Sequence, residues 1–361
     1  MSAGISVPQA ADLIVTTLPK MPRGKWTDTF KYQDYPFLER ASGDGIRKEA
    51  SGLRYETRIR LRENNSARGV DLYEVTPNIR VNVMDYLKVE WVHTEAKVHY
   101  DARELAMNAG DDVQIVDWLG TQRAAELESL ANWWEEAAFQ APVSATDTKN
   151  GLNGLPFWVS PLAAGVTDQG IGFNGVAAPY RDGTTTNSPG ALNASLPENQ
   201  RWRNANGIIR GMNPATIDMM RALLTRVRFK APSMMNSKGN TNQRSGVVWY
   251  MSMQDKDDYV RLTNQGSDPR GGDVAPFHGD SPMCHGVPIQ AVPVIDSISY
   301  LPIWFINHKF LFVVSLRGFW MKHHKAMNSR DQVNVYSEQI DCSGNIACTN
   351  RRAHGILHRA R

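Results

Sequence analysis

The chain has 361 residues, of which 42% are hydrophobic and 21% charged, and this ordinary globular composition excludes a largely disordered protein. Its 40 Lys and Arg residues and 37 Asp and Glu residues leave a formal net charge of +3, which argues against a dedicated nucleic-acid-binding protein. Three cysteines in a chain of this length argue against a disulfide scaffold and favour a reducing compartment. No apolar run reaches the ~18 residues of a transmembrane helix, so we expect no membrane partner.

The first 44 residues combine prolines and aromatic residues without a periodic pattern. Pro8, Pro19, Pro22 and Pro36 interrupt any long helix or strand. Flexible tails are usually poor in aromatic residues, whereas this segment contains several of them. The composition therefore predicts an arm that is ordered by packing on another surface.

A strand is predicted from Leu53, where less polar and charged residues begin to alternate with a period of two. Four arginines belong to its charged positions: Arg54, Arg58, Arg60 and Arg62. Turn-forming residues at 63–69 and apolar residues from Val70 to Val75 predict a returning strand. An isolated two-stranded hairpin is marginal in water, so we expect this one to need a partner surface.

Apolar residues at helical spacing predict one long helix from Val113 to Phe139. Four glutamates lie mostly on its other side: Glu126, Glu128, Glu135 and Glu136. We hypothesise that they meet the arginines of the hairpin from a neighbouring subunit, because a planar guanidinium can hold a carboxylate at two points. The alternative is that the arginines form a solvated face, since exposed salt bridges contribute little.

The remaining chain predicts an alternation of strands and helices, and hence an α+β fold. Eight glycines between Asn150 and Asn193 indicate an ordered, extended insertion with tight turns. The further predictions are a helix beginning at Asn213-Pro214, strands at Val247–Met253 and Val287–Ile295, a strand pair of Ile303–Ile306 with Phe310–Leu316, and a final hairpin with its turn at Ser343–Asn345.

No pattern in the sequence indicates an enzyme, and we expect no catalytic, cofactor-binding or metal-binding residues. A phosphate loop, a dinucleotide-binding fingerprint, a zincin motif and a nucleophile elbow are all missing from the sequence. Cys342, Cys348, His354 and His358 have the chemistry of metal ligands. However, five residues separate the two cysteines, whereas structural zinc sites usually place two to four there.

The order of these elements resembles the major capsid protein of tailed bacteriophages, which has the Hong Kong 97-type fold. The segments that carry the resemblance are Gly286–Pro293 with its Gly-Val-Pro-Ile start, Pro302–Asn307 followed by Phe310 and Arg317–Trp320, and Asn350–Arg352. The resemblance implies an N-terminal arm at 1–44, an extended loop (β-hairpin) at 45–86, a peripheral domain with a spine helix at 87–149, a glycine-rich surface or inter-capsomer insertion at 150–205, an axial α/β domain at 206–320, and a return to the peripheral domain at 321–361.

The resemblance also implies a function, which is structural. The chain would assemble with copies of itself, in the host cytoplasm, into hexamers and pentamers of an icosahedral virion capsid around double-stranded DNA. A portal and a separate scaffolding protein are the further partners that it implies, and packaged DNA would make weak, nonspecific contact. An encapsulin-type protein compartment is the alternative, and a cytosolic α+β enzyme is less favoured.

Two sets of residues bear on how such a shell is held together. Arg351, Arg352, Arg359 and Arg361 would contact DNA or carboxylates of a neighbouring subunit. Some members of the family link a lysine of the extended loop covalently to an asparagine of a neighbour. This chain has no lysine between Lys48 and Lys88, so we expect a noncovalent shell.

Overall fold

The computed structural model of the protein describes residues 35–43, 48–62, 69–72, 82–103, 112–144, 151–167, 169–186, 188–227, 246–265, 282–328 and 334–361. These residues form two larger sheets, two small two-stranded sheets and a long helix, which confirms the predicted α+β class. Most of the predicted N-terminal arm and the predicted loop tip at 63–68 lie outside the described residues. Within them, no helix is both long enough and apolar enough to cross a membrane.

The helices with described bounds are α1 (Pro36–Gly43), α2 (Asp112–Ala138), α3 (Leu155–Trp158), α4 (Pro214–Arg226), α5 (Met253–Gln265) and α6 (Pro293–Asp296). The strands are β1 (Lys48–Ala50), β2 (Arg54–Arg60), β3 (Met84–Glu90), β4 (Val92–Asp101), β5 (Gly172–Gly175), β6 (Ala178–Pro179), β7 (Thr185–Thr186), β8 (Asn204–Ile208), β9 (Val247–Met251), β10 (Met283–Cys284), β11 (Val287–Ala291), β12 (Ile303–Asn307), β13 (Leu311–Leu316), β14 (Lys322–Asn328), β15 (Val335–Cys348) and β16 (Gly355–His358).

Two predicted helices are confirmed. Helix α2 matches the long helix expected from Val113 to Phe139 within one residue at each end. Helix α4 begins where expected, because the Asn213 side chain accepts a hydrogen bond from the Thr216 amide at 2.9 Å and Pro214 occupies the first helical position.

The larger sheet has seven strands in the order β10-β11-β9-β12-β16-β8-β5, with parallel and antiparallel pairs. Trp249 and Phe305 face one buried layer, which they share with helices α4 and α5. Tyr250 and Trp304 face a second buried layer, which they share with helix α2. Because both faces are covered, its central strands are continuous apolar runs without alternation.

The five-stranded sheet is built around the 14-residue strand β15. Strands β13 and β14 follow one another along one edge of β15, strand β4 pairs with its other edge, and β1 pairs in parallel with β13. The predicted pairing of Ile303–Ile306 with Phe310–Leu316 is therefore wrong. Strand β12 belongs to the seven-stranded sheet, and the chain leaves that sheet before it enters β13.

The predicted turn at Ser343–Asn345 is also wrong, because β15 runs straight through these residues. Gly344 serves close packing instead of a turn, since a Cβ atom there would lie 3.2 Å from the ring of Trp134. Asn345 is turned towards a neighbouring segment, where its Oδ1 accepts a hydrogen bond from the Asn153 amide at 2.9 Å. Contacts between distant segments thus account for residue types that are typical of turns.

Parts of the segment 151–205 pack in the core, whereas residues 181–185 and 195–198 are exposed. All four residues of α3 are buried, and Trp158 and Trp202 are almost completely inaccessible to water. Gly154 lies against the C-terminal end of α2, where a Cβ atom would be 2.0 Å from the carbonyl oxygen of Gln140. The expectation of an ordered segment with tight turns is confirmed, but the segment forms part of the interior.

Arg351 is completely buried and joins residues 150–205 to the chain between β15 and β16. Its Nε donates to the carbonyl oxygen of Trp158 at 2.6 Å, and its Nη1 donates to that of Trp202 at 2.9 Å. Its Nη2 donates to Ser160 Oγ at 2.8 Å and to Asn204 Oδ1 at 3.1 Å. Burial lowers the pKa of Arg351 to about 10, so the side chain remains charged at neutral pH. Neutral oxygens therefore stabilise a buried charge here.

We expect the substitution Arg351→Lys to lower the free energy of unfolding of the isolated chain by about 2–4 kcal/mol, because an ammonium group reaches fewer of the four acceptors and leaves buried oxygens unpaired. Arg352→Lys is the matched control, since Arg352 is exposed and lies over the ring of Phe173 at 4.0 Å. Urea denaturation of both variants measures the difference. Equal stability of Arg351→Lys and the wild type would contradict the role of Arg351.

Candidate assembly interface

Strands β2 and β3 form the predicted hairpin, but with a different returning strand. The partner of β2 is Met84–Glu90, in a register that pairs Arg60 with Met84. The returning strand expected at Val70–Val75 is wrong: residues 69–72 are not in a strand, and 73–75 lie outside the described residues. Burial selects the observed register, because Leu87 and Val89 of β3 are both in the core.

The alternation expected in β2 is confirmed. Its half-buried positions are Tyr55, Thr57 and Ile59, and its exposed positions are Glu56, Arg58 and Arg60. The Tyr55 ring packs edge-on against Phe312, with 6.2 Å between ring centroids. The less polar face of the strand therefore lies on its own subunit, and the charged face is directed outwards.

Two of the predicted interface arginines have partners on the hairpin itself. Arg54 forms an ion pair with Glu56 at 2.5 Å and approaches Glu90 at 3.7 Å. Arg58 donates from Nε to the hydroxyl of Tyr86 at 3.0 Å, and its guanidinium carbon lies 5.4 Å from the Tyr86 ring centroid. Local acidic and aromatic groups therefore relieve the repulsion between like charges.

The other two arginines of the set differ from each other. Arg62 forms an ion pair with Glu198 at 3.0 Å and donates to Asn199 Oδ1 at 3.3 Å, which fixes the end of the hairpin to residues 150–205. Arg60 is exposed, and the described part of the chain offers it neither a hydrogen bond nor an ion pair. Among the described residues, Arg60 is the one arginine of the four for which neither a hydrogen bond nor a ring contact nor an ion pair is found.

The four glutamates of α2 do not form one exposed face, which corrects the expectation from helical spacing. Glu126 and Glu135 are both only 5% exposed, Glu128 is half-buried and Glu136 is exposed. Helix α2 is covered on more than one side, so residues opposite its main apolar stripe also contact other elements. Glu135 and Glu136 thus have quite different environments although they are adjacent.

Glu135 binds the start of α1, the described end of the N-terminal arm. Its Oε1 accepts a hydrogen bond from the Phe37 amide at 3.1 Å, and its Oε2 accepts one from the Leu38 amide at 2.9 Å. These amides belong to the first turn of α1, where a helix has no acceptors of its own. Burial raises the pKa of Glu135 to about 7, although both hydrogen bonds oppose this rise. Glu135 therefore fixes the first turn of α1 to α2.

A groove of about 500 Å³ lies between strand β4 and helix α2. Trp133 and Ser129 of the helix and Lys97 of the strand line it together with Glu126. The sequence indicated none of these residues except Glu126, because the groove depends on how helix and strand pack. The only available signal was Trp133, a large apolar residue next to the buried Trp134.

The charged groups around Glu126 form ion pairs with one another, and neither of these pairs includes Glu126. Arg123 binds Glu338 through two hydrogen bonds of 2.6 Å each, and Lys97 binds Glu95 at 2.7 Å. Burial raises the pKa of Glu126 to about 7, and the nearby Glu338 adds to this effect. The groove therefore carries one unbalanced negative charge when Glu126 is ionised.

The C-terminal histidines considered as metal ligands have separate structural roles. His354 Nδ1 accepts a hydrogen bond from the Asn307 amide at 3.1 Å, and His358 Nε2 accepts one from the Leu162 amide at 3.0 Å. Cys342 and Cys348 are buried free thiols. In the part of the chain that the structure describes, no three or more His, Cys, Asp or Glu side chains are arranged to hold a metal ion.

The C-terminal arginines do not form a common outer patch. Arg351 is buried, so the expectation that it contacts DNA or a neighbour is wrong. Arg359 forms an ion pair with the buried Asp255 at 3.0 Å, and Arg361 lies 4.9 Å from the ring centroid of Tyr300. These contacts lie within one subunit.

We expect the stability of the unassembled subunit to depend on pH through Glu135. The folded subunit retains this proton up to about pH 7, whereas the unfolded chain releases it near the ordinary pKa of 4.5. Stability from this group is complete below pH 4.5 and is lost as the pH rises towards 7, by at most about 1.4 kcal/mol per pH unit. In urea denaturation from pH 5 to 7.5, Glu135→Gln should flatten the slope and Glu136→Gln should not. Identical slopes for all three proteins would refute this assignment.

Comparison with known proteins gives matches among solved structures. No protein-family model matches the sequence, and neither does any curated protein. A chain of the cyanophage A-1(L) capsid has a TM-score of 0.62 at 13% identity, covering 96% of this chain and 99% of that one. A chain of the native GTA particle capsid gives 0.57 at 10% identity, covering 94% and 95%. The holo-SrpI encapsulin complex from Synechococcus elongatus gives 0.52 at 12% identity, covering 95% and 94%. The chain therefore has the capsid fold of tailed bacteriophages, the Hong Kong 97-type fold.

Proposed function

We propose that the chain is the major capsid protein of a tailed bacteriophage, and that it assembles into hexamers and pentamers of an icosahedral shell around double-stranded DNA. The observation that carries this proposal is the extent of the structural match, which covers 96% of this chain and 99% of a cyanophage capsid chain. A match over nearly both full lengths indicates that the two chains share their complete architecture rather than one common domain. The role is structural and not enzymatic.

The exposed surface of the hairpin supports a partner of the same kind. Large apolar side chains are exposed on and beside it, including Leu53, Leu72 and Met84. Large apolar side chains that are exposed to water can mark a contact with another molecule. Copies of this chain are the partner that a shell provides at every position.

The two proposed domains are centred on the two larger sheets. Helix α2 and the five-stranded sheet support a peripheral domain, to which residues 87–149 and 321–361 contribute. The seven-stranded sheet with α4 and α5 supports an axial domain that lies mostly within 206–320, although its strands β5 and β16 come from outside that range. Residues 45–86 form the loop that reaches a neighbour. Along the sequence, the chain passes to the five-stranded sheet before β13 and returns to the seven-stranded sheet before β16. The two proposed domains therefore share one core.

Further partners are part of the same proposal. A closed shell that is filled with DNA needs a portal for its entry, and we propose a separate scaffolding protein that guides assembly. Contact with packaged DNA would be weak and nonspecific, consistent with the formal net charge of +3. Assembly would take place in the host cytoplasm.

An encapsulin-type compartment is the second candidate, because an encapsulin chain shares the fold at a TM-score of 0.52. The two functions differ in what the shell contains. A capsid protects DNA from nuclease, whereas an encapsulin holds protein cargo. The fold is common to both, so the contents of native particles discriminate between them.

We expect expression of the chain, together with the products of neighbouring genes, to yield closed shells in electron micrographs. Native particles should contain DNA that withstands added nuclease. Protein cargo in place of DNA would favour the encapsulin function. A chain that remains monomeric by light scattering under every condition, with and without those gene products, would refute shell formation altogether.

We expect the assembled shell to be noncovalent, because the region between Lys48 and Lys88 offers no lysine amine for a covalent link. Particles boiled in detergent under reducing conditions should release subunits that migrate at 40.4 kDa. Ladders of linked subunits that survive this treatment would contradict the expectation.

A further inference from the structure

Two charged groups on different parts of the chain lack an ion-pair partner among the described residues, although the backbone amide of Ile340 donates a hydrogen bond to the Glu126 carboxylate. The Glu126 side chain is only 5% exposed. Among the described residues, its Oε1 atom has no hydrogen-bond partner. Arg60 is exposed on the hairpin, and no described residue forms a hydrogen bond or an ion pair with it. A buried carboxylate oxygen without a donor is costly, so its pairing with an incoming donor is favourable.

The groove in which Glu126 lies is suited to a guanidinium group. Trp133 supplies an aromatic ring at its wall, and a cation that stacks on such a ring is attracted by its π electrons. Glu126 itself lines the groove, and its carboxylate can turn about its last side-chain bond, which has a broad torsional minimum. Arginine fits a stacked and paired position better than lysine, because its planar head offers several donors.

Charge balance favours one cation in this groove and no more. His93 bonds to Ser343 Oγ at 2.8 Å, and the pairs Arg123–Glu338 and Glu95–Lys97 are each internally neutral. Tyr100 donates its hydroxyl proton to Glu338 as well. The charge of Glu126 is thus the one that a ligand would neutralise.

We propose that the groove between β4 and α2 receives the side chain of Arg60 from the hairpin of a second copy of this chain, and that this guanidinium pairs with Glu126 and stacks on Trp133. The inference rests on the proposed function, since it names the contact through which one subunit would bind the next. Of the four arginines and four glutamates expected at the interface, the inference selects Arg60 and Glu126.

The neighbours of Arg60 support its selection. Arg54, Arg58 and Arg62 already have partners within their own subunit. Met84, which is paired with Arg60 across the hairpin, is 54% exposed and would accompany Arg60 into the interface. One polar and one apolar side chain would therefore enter the interface together, as in the buried centre of a protein interface.

Disulfide trapping in assembled particles tests the contact directly. The variant Arg60→Cys with Ser129→Cys places one thiol on the hairpin and one on the groove wall, and the chain's own cysteines are all buried. Mild oxidation should yield covalent multimers on nonreducing gels, and each single variant should yield none. Arg54→Cys with Ser129→Cys is the matched control, because Arg54 lies on the same strand but away from the proposed contact.

Charge removal provides the energetic test. Glu126→Gln and Arg60→Gln should each raise the subunit concentration needed for assembly by about tenfold, and the combined variant should be no worse than either single one. Glu136→Gln should assemble as the wild type does. Full additivity of the two changes, or normal assembly without crosslinks in the cysteine pair, would overturn the Arg60–Glu126 contact while leaving shell formation intact. Absence of shells from the wild type would instead refute the proposed function.

Discussion

The interior of the molecule depends on a guanidinium group that has been taken out of water. Arg351 binds four oxygens within 150–205: those of Trp158 at the end of α3, of Ser160 two residues later, of Trp202, and of Asn204 at the start of β8. Removing a cation from water is expensive, so the stability of this site depends on the four hydrogen bonds that replace the lost hydration. The arginine therefore demands one arrangement of these segments, and apolar side chains alone would tolerate several.

The same requirement explains why the two sheets act as one body. Strand β16 follows Arg351 directly and lies between β12 and β8, while strand β15 precedes it and forms the centre of the other sheet. Trp158 takes part in both connections, since its carbonyl oxygen binds Arg351 and its Nε1 donates to the carbonyl oxygen of Ile346 at 3.0 Å. Motion of one sheet against the other would break these bonds, so we expect the subunit core to move as a unit.

Local sequence patterns predicted individual helices and strands. The packing and pairing of these elements depend on contacts between residues far apart in the sequence. The long helix, the cap at Asn213 and the alternation of β2 were readable because each depends on neighbours in sequence. The hairpin register, the continuity of β15 and the burial of residues 150–205 were not, because Leu87, Gly344 and Arg351 take their roles from residues far along the chain. The same difference between local pattern and distant contacts applies to the candidate interface residues. Helical spacing identified the glutamates, but only packing separates the buried Glu126 and Glu135 from the exposed Glu136.

The position of β16 has a consequence for how the protein is made. This strand is inserted between β8 and β12, although it follows β8 by well over a hundred positions in the sequence. A nascent chain therefore holds an open gap in its main sheet until β16 has emerged from the ribosome, and the Arg351 site is incomplete for equally long. Chains that are terminated before β16 would lack a central strand of this sheet and a complete Arg351 site, so we expect their core to remain unfinished.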